Sequence, residues 1–141
     1  MARRRLFRTG SSPRLLKSLR ELERLSWKME SLVKQDAEAF QMLVKAHRMN
    51  QGVVGARRRA IGTPLEICRA TVLAAKVFRT LTPLTGPYLG SDLKAGRALL
   101  QGAFEGAYVT GMMNFQKRER DPQARAMRRE LTLLRRKMQK A

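Results

Sequence analysis

The chain has 141 residues, a length that favours one domain around one hydrophobic core. It carries 30 Lys and Arg against 11 Asp and Glu, a formal net charge of +19, but 43% of its residues are apolar, so wholesale disorder is not expected. One cysteine, Cys68, and one histidine, His47, exclude an intrachain disulfide, a thiolate zinc cluster and a His-rich metal site. The apolar stretches are too short to span a bilayer, so we expect no membrane partner.

The first predicted element is a long amphipathic helix that begins at Ser12 and Pro13 and ends near Arg48. Apolar residues recur at heptad spacing along it, and a carboxylate occupies one place in the series. The two heptad series are Leu15, Leu22, Met29, Asp36, Leu43 and Leu25, Leu32, Ala39, Ala46, and we expect Leu19, Val33 and Phe40 to widen the same buried stripe. Helices of about 35 residues usually belong to bundles or span a subunit interface.

A break follows at residues 50–55, after which Arg57, Arg58 and Arg59 are predicted to begin a short helical turn. Residues 63–66 read Thr-Pro-Leu-Glu, which predicts a capping box that opens a second helix ending near residue 80. The expected core positions of this helix are Leu65, Cys68, Val72 and the region of Ala75 and Phe78. Prolines and glycines at residues 83–90 predict a loop.

A third helix is predicted over residues 92–114, with Ser91 as its cap. It holds four glycines, at positions 96, 102, 106 and 111, and each costs up to ~1 kcal/mol relative to alanine inside a helix. We therefore expect neighbouring backbones to pack closely against it. A last helix begins after Asp121 and Pro122, and its apolar residues keep heptad spacing at Met127, Leu131, Leu134 and Met138.

The fold class predicted by this pattern is all-α, because no segment alternates with the period of a strand. We expect a helical bundle with a long first helix, a glycine- and alanine-rich central helix, and a dimer formed through those two helices.

Asp36 is the most informative candidate site residue, since it stands in a heptad position where a leucine would be expected. A buried carboxylate without a partner costs several kcal/mol, so it needs either a partner or a chemical task. One interpretation is a general acid/base or a ligand anchor. The other is an ion pair with one of the many cations of the chain.

Other polar candidates have simpler interpretations. Asp92 at a helix start meets the positive end of the helix dipole. Asn114 could cap a helix or donate a hydrogen bond across an interface. His47 is expected in solvent, and Cys68 as a small core residue.

The positive charge is concentrated at the two ends, with +6 in residues 1–24 and +7 in residues 117–141. Basic flanks favour polyanions such as nucleic acid, although few aromatic residues accompany them for stacking on bases. Solvated helix faces and polycarboxylate ligands are the alternatives. The first twenty residues contain no acid, so an organellar presequence is the alternative to the cytoplasmic location that we expect.

Four features in order resemble a known family. Asp36-Ala37-Glu38-Ala39-Phe40 comes first, then Pro64 within a helix, then Gly90-Ser91-Asp92-Leu93, then the glycine-rich helix that ends in Asn114. They are similar to the cyclodeaminase domain of formiminotransferase-cyclodeaminase and to the related bacterial methenyltetrahydrofolate cyclohydrolases, over about residues 15–140. The usual opening helix with its Pro-Gly-Gly-Gly-Ser-like segment is not seen, and we expect residues 1–4 to be its tail in a truncated chain.

The resemblance implies an all-helical, dimeric folate enzyme, either a lyase that closes the methenyl ring of 5-formiminotetrahydrofolate with loss of ammonia or a hydrolase that opens that ring. It implies that Asp36 is catalytic and that Ser91, Asp92 and Asn114 bind substrate. Arg57 and Arg58 are the expected contacts for the glutamate tail of the folate, including a polyglutamate tail. The tetrahydrofolate derivative is then the substrate, and no cofactor or metal is implied.

The predicted organisation is a basic N-terminal segment, residues 1–14, and a cyclodeaminase-like helical domain, residues 15–141. Two hypotheses compete with the folate enzyme. The chain could be an inactive family member that binds nucleic acid or another polyanion through its basic termini, or a helical interaction protein without a ligand. A steep salt dependence of duplex binding would favour the first, and a stable dimer that no folate stabilises would favour the second.

Overall fold

A computed structural model describes residues 12–141, and this part of the chain contains four α-helices and no strand. The helices are α1 (Pro13–Met49), α2 (Val53–Leu81), α3 (Gly90–Met113) and α4 (Pro122–Gln139). Two short 3-10 turns, Thr82–Leu84 and Pro87–Leu89, connect α2 to α3. The all-α prediction is confirmed. The expectations for a truncated helix and a presequence fall on residues 1–11, outside the described residues.

The second helix is the centre of the bundle, because α1, α3 and α4 all pack on it. The turn that reverses the chain between α1 and α2 uses two residues with positive φ. Asn50 ends α1 in the left-handed region at φ 50°, and its backbone N–H donates to the carbonyls of Ala46 and His47. Gly52 follows at φ 68°, a conformation that favours glycine.

The heptad pattern of α1 is confirmed in its two main series. Leu25, Leu32, Ala39 and Ala46 are buried, and the series that contains Asp36 is half-buried. The predicted widening is wrong, since Leu19, Val33 and Phe40 are 50%, 66% and 64% exposed. The reason is that α1 packs chiefly on one helix, α2, so the buried stripe is only as wide as that single contact.

The second helix begins ten residues earlier than predicted and runs without interruption through Pro64. The prediction of a capping box at residues 63–66 is therefore wrong. The Thr63 hydroxyl instead donates to the Arg59 carbonyl one turn back. Proline has no N–H to donate to the carbonyl four residues earlier, which here is that of Ala60. The Asn114 side chain supplies the missing donor, with its Nδ2 3.0 Å from the Ala60 oxygen.

Two of the four helix-interior glycines of α3 make room for side chains. A Cβ on Gly111 would lie 3.3 Å from both the Pro64 Cβ and a Leu131 methyl group, and one on Gly96 would lie 2.5 Å from the Phe78 ring. Gly102 and Gly106 meet nothing within 4 Å. The expected close packing is thus seen at Gly96 and Gly111, against side chains of α2 and α4, whereas Gly102 and Gly106 face open space within the described chain.

The ends of α3 and α4 test three predicted caps. Ser91 is not the cap of α3, because the turn Pro87–Leu89 leads directly into a helix that starts at Gly90. Asn114 does end α3, where its Nδ2 also donates to the Thr110 carbonyl at 3.1 Å. Asp121 caps α4 as predicted by accepting a hydrogen bond of 3.1 Å from the Gln123 backbone N–H.

The core between α2, α3 and α4 contains most of the predicted apolar positions of α2 and α4. Its buried members are Leu65, Cys68, Val72, Phe104, Ala107, Leu131 and Leu134. Of the other predicted positions, Ala75 is buried outside this cluster and Phe78 is half-buried. Burial raises the pKa of the Cys68 thiol to about 12, so this cysteine stays protonated at neutral pH. Cys68 is thus the small core residue that the sequence predicts, and it is not a nucleophile.

The contact between Asn114 and the Ala60 carbonyl predicts a coupled effect on stability. Asn114→Ala leaves a half-buried carbonyl without its donor and should cost about 1–3 kcal/mol of unfolding free energy. In a Pro64→Ala background, the new backbone N–H of residue 64 bonds to Ala60 itself, so the same change should cost less than half as much. Urea denaturation of the four proteins measures this coupling. Equal costs in the two backgrounds would contradict the assigned role.

Candidate functional site

Asp36 is half-buried on α1, between the buried residues Leu32 and Ala39. Its carboxylate makes no hydrogen bond or ion pair with any residue between 12 and 141, although the chain is rich in Lys and Arg. A carboxylate that is partly withdrawn from water and left without a protein partner is available to a ligand. The interpretation as a structural ion pair therefore finds no support in the described residues.

The packing of α1 shows which neighbour Asp36 approaches. Met29 and Leu22, one and two heptads earlier on the same line of the helix, pack with Leu100 of α3 against one buried cluster. Lys28, on the other edge of α1, bonds to Glu66 of α2 at 2.6 Å. Asp36 therefore lies on the edge of α1 that turns toward α3.

The antiparallel pairing of α1 and α2 gives the height of Asp36, which is its position along the bundle axis. Lys28 is level with Glu66, and Asp36 lies eight residues, about 12 Å, further toward the α1–α2 turn. Arg59 of α2 contacts Met42 of α1. Asp36, between Lys28 and Met42, therefore faces the part of α2 from Arg59 to Glu66, which includes the Ala60 carbonyl that holds Asn114. Asp36 and Asn114 thus belong to the same end of the molecule, with the exposed side chains of Val33 and Phe40 beside Asp36.

Ser91 and Asp92 lie at the opposite end. They are exposed residues in the first turn of α3, whereas Asn114 directly follows its last residue. The 22 residues between Asp92 and Asn114 span about 33 Å along a helix. Within one chain, the candidate residues therefore form two separate groups, Asp36 with Asn114 and Ser91 with Asp92.

Arg57 and Arg58 are both engaged by acids that precede α4. Arg57 is 8% exposed and donates from Nη2 to Glu119 at 3.0 Å, and its buried Nε has no hydrogen-bond partner in the described chain. Arg58 holds Asp121 through two bonds of 2.7 and 2.8 Å. Hydrogen bonding to Arg58 keeps the pKa of Asp121 below its usual range. Both guanidinium groups fasten the start of α4 to α2.

A second ionic network joins α1, α2 and α4. Arg69 binds Glu130 of α4 at 2.7 and 2.6 Å and also contacts Glu66, which bonds to Lys28 of α1. The bond from Lys28 lowers the pKa of Glu66, and the bonds from Arg69 lower that of Glu130. The pairs between helices are not predictable from the sequence, because Lys28 and Glu66 are 38 positions apart and Arg69 and Glu130 are 61 apart, which leaves no local signal.

A cavity of about 610 Å³ opens at the α1–α2 turn. Its lining combines Met42, Met49 and two glycines with the cations Lys45 and Arg59. Met42 lies two heptads after Lys28, on the edge of α1 opposite to Asp36. The cavity therefore does not include the candidate carboxylate.

Two other classes of site are tested by the described residues. Between residues 12 and 141, no three His, Cys, Asp or Glu side chains come together as metal ligands. None of the helices in this part of the chain is both long enough and apolar enough to cross a membrane.

Comparison with known families assigns the fold. The family model described as formiminotransferase-cyclodeaminase matches residues 4–132, which is most of the chain. The chain therefore belongs to that family, and the resemblance carried by Asp36, Pro64, the residues around Asp92, and Asn114 is confirmed. Searches of curated proteins and of solved structures found no significant match.

Proposed function

We propose that this protein is an enzyme of folate one-carbon metabolism that closes or opens the ring of 5,10-methenyltetrahydrofolate, with Asp36 as its acid/base. The observation that carries the proposal is the unpaired, half-buried carboxylate of Asp36 in a chain that belongs to the formiminotransferase-cyclodeaminase family. The reaction is either that of a cyclodeaminase, a lyase, or that of a cyclohydrolase.

The chemistry requires one group that both accepts and returns a proton. In ring closure, N10 attacks the formimino carbon and loses its proton to the carboxylate. The carboxylate then protonates the amine, the carbon–nitrogen bond breaks, and ammonia leaves. In ring opening, water adds to the methenyl carbon and loses a proton to the same carboxylate, which returns it to N5 as the bond from carbon to N5 breaks, and the formyl group stays on N10. A half-buried carboxylate without a protein partner is free to exchange a proton with substrate in both directions.

The surroundings of Asp36 suit a pterin. Val33 and Phe40 expose apolar surface next to it, which is the kind of contact that a flat aromatic ring favours. Asn114 stands at the same height in the bundle, though its amide nitrogen is already used by two backbone carbonyls. Its side-chain oxygen is the atom left for substrate. The folate glutamate tail would bind the exposed cations at this end of the bundle, and Arg58 is half-exposed there.

The proposed active form is a homodimer that packs through the outer face of α3. This face carries no Lys, Arg or Glu over about 27 Å of helix in a chain of charge +19. It consists of Ala95, Leu99, Gly102, Gly106, Val109 and Met113. Leu99 and Met113 are 76% and 81% exposed, and the two glycines meet nothing within 4 Å. A second copy of the same face would supply the close backbone neighbour that glycines admit.

Two-fold symmetry about the middle of this face would complete the site. The face is centred at residue 104, so antiparallel packing of two α3 helices places Asp92 of one copy opposite residue 116 of the other, within a turn of Asn114. Ser91 and Asp92 then join the Asn114 end of the partner, the end at which Asp36 also lies. The 33 Å separation within one chain is what makes the dimer necessary in this proposal.

The proposed role of Asp36 is tested by comparing Asp36→Asn with Glu38→Gln. Both changes remove one negative charge from α1, but Glu38 is exposed on another side of the helix. The near-ultraviolet absorbance of 5,10-methenyltetrahydrofolate follows its formation from 5-formiminotetrahydrofolate and its hydrolysis. We expect Asp36→Asn to lower the rate about 10²–10⁴-fold and Glu38→Gln to leave it unchanged, with the same helical circular dichroism. Equal rates for the two variants would sink the assignment.

The dimer is tested with Gly102→Ala and Gly106→Ala against Gly62→Ala. All three glycines are helical and meet open space within the chain, so each change should stabilise a monomer by up to ~1 kcal/mol. In the proposed dimer, methyl groups at residues 102 and 106 separate the two backbones. Sedimentation velocity over a range of concentrations should therefore show a weakened dimer for the α3 pair only. A monomeric parent protein, or a dimer unaffected by both changes, would contradict the proposal.

A further inference from the structure

The C-terminal segment separates its charges between two sides. Residues 117–141 hold only three acids, and each faces inward onto an arginine of α2. Glu119 pairs with Arg57 and Asp121 with Arg58, and the side chains of these acids are 2% and 6% exposed. Glu130 pairs with Arg69. All three carboxylates are thereby paired with α2, although the side chain of Glu130 stays 39% exposed.

On the outer surface of the same segment, the charged groups that are not paired with α2 are all cations. All ten Lys and Arg of residues 117–141 are exposed, and within the described chain only Arg135 forms an ion pair, with Glu105 of α3. We call the outward cations of α4 the basic face; they are Arg125, Arg128, Arg129, Arg136 and Lys140. A surface of one sign with its own acids turned away is the electrostatic footprint of a polyanion site.

The cations of this face form a straight row. Arg125, Arg129, Arg136 and Lys140 are spaced by four, seven and four residues, so they follow one line of α4 for about 22 Å. Arg128 lies beside that line, and a groove of about 380 Å³ near the start of the helix is lined by Arg125, Arg128 and Arg129, together with Thr132 and with Glu119, whose carboxylate is bound to Arg57. Like charges three and four residues apart destabilise a helix. The row therefore works against the stability of α4.

We propose that the basic face of α4 binds the phosphate backbone of double-stranded DNA without sequence preference. A rigid row of cations fits a rigid row of phosphates, and each contact releases condensed counterions. An α-helix with its side chains is about 10–12 Å across, which is the width of the major groove of B-form DNA. This inference goes beyond the folate chemistry and does not depend on it.

Two other polyanions fit the face less well. A single strand needs aromatic side chains on which bases stack, and the aromatic rings near this surface are already covered. Arg135 lies 4.6 Å above the Tyr108 ring, and Arg128 lies 5.6 Å above the Phe115 ring. A flexible polycarboxylate loses conformational entropy when it is ordered along a straight row, whereas a duplex is already ordered.

The test measures how binding of the full chain to a 20-base-pair DNA duplex depends on salt. Five phosphate contacts predict a slope of about −4.5 for log Kobs against log salt concentration. The variant Arg129→Ala/Arg136→Ala should bind roughly tenfold more weakly or worse, and its slope should be less steep by about 2. Fluorescence anisotropy with a labelled duplex gives both quantities.

The matched control is Arg20→Ala/Lys34→Ala, which removes the same charge from exposed positions of α1 that make no ion pair with described residues. It should leave the slope unchanged. Equal losses in the two variants would show diffuse attraction by net charge and overturn the proposal, as would absence of binding. Tighter binding to a single strand, to an RNA duplex or to polyglutamate at equal charge would assign the face to that partner and overturn the choice of DNA.

Discussion

The packing of this bundle depends on a hydrogen bond to the backbone carbonyl of Ala60. Pro64 lies inside α2 and withdraws the backbone donor that this oxygen would have in an uninterrupted helix. Asn114 supplies the donor from the end of α3, and Gly111 gives the Pro64 ring room one turn earlier. A half-buried carbonyl without a partner is costly, so this contact fixes both the height of α3 on α2 and the place where α3 ends.

The ionic contacts at the same end of the molecule fix α4. Arg57 and Arg58 follow the start of α2 and hold the two acids that precede α4, while Arg69 holds Glu130 further along. Because these acids are paired with arginines of α2, the unpaired charges on the outward side of α4 are all cations. One set of contacts thus explains both why α4 stays on the bundle and why its outer face is strongly basic.

Local patterns in the sequence predict the helices well and their interruptions poorly. The heptads of α1 and α4 and the cap at Asp121 are confirmed, because they depend on residues within a few turns of one another. The prediction that a helix starts at Thr63 and Pro64 is wrong. The hydrogen-bond donor that lets α2 continue through Pro64 comes from Asn114, 54 residues away along the chain. The exposure of Val33 and Phe40 was missed for a similar reason, because it depends on how many helices α1 contacts.

The candidate site shows the same difference between features that the sequence predicts and features that only the structure reveals. Family membership follows from motifs that are readable in order, and the match over residues 4–132 confirms it. The distance between Asp92 and Asn114 follows only from the three-dimensional arrangement, in which α3 is one uninterrupted helix. Residues that a family pattern lists together can thus lie at opposite ends of one chain, and in the proposed dimer it is the second copy that brings them together.

Subunit complementation tests that arrangement directly. Asp36→Asn and Asp92→Asn dimers should each be nearly inactive in the conversion of 5-formiminotetrahydrofolate. If residue 36 of one copy works with residue 92 of the other, a mixed dimer holds one intact site, and an equal mixture allowed to exchange subunits should recover about one quarter of the parent rate. A mixture no more active than the mean of the two variants would show that the two residues do not share a site across the interface.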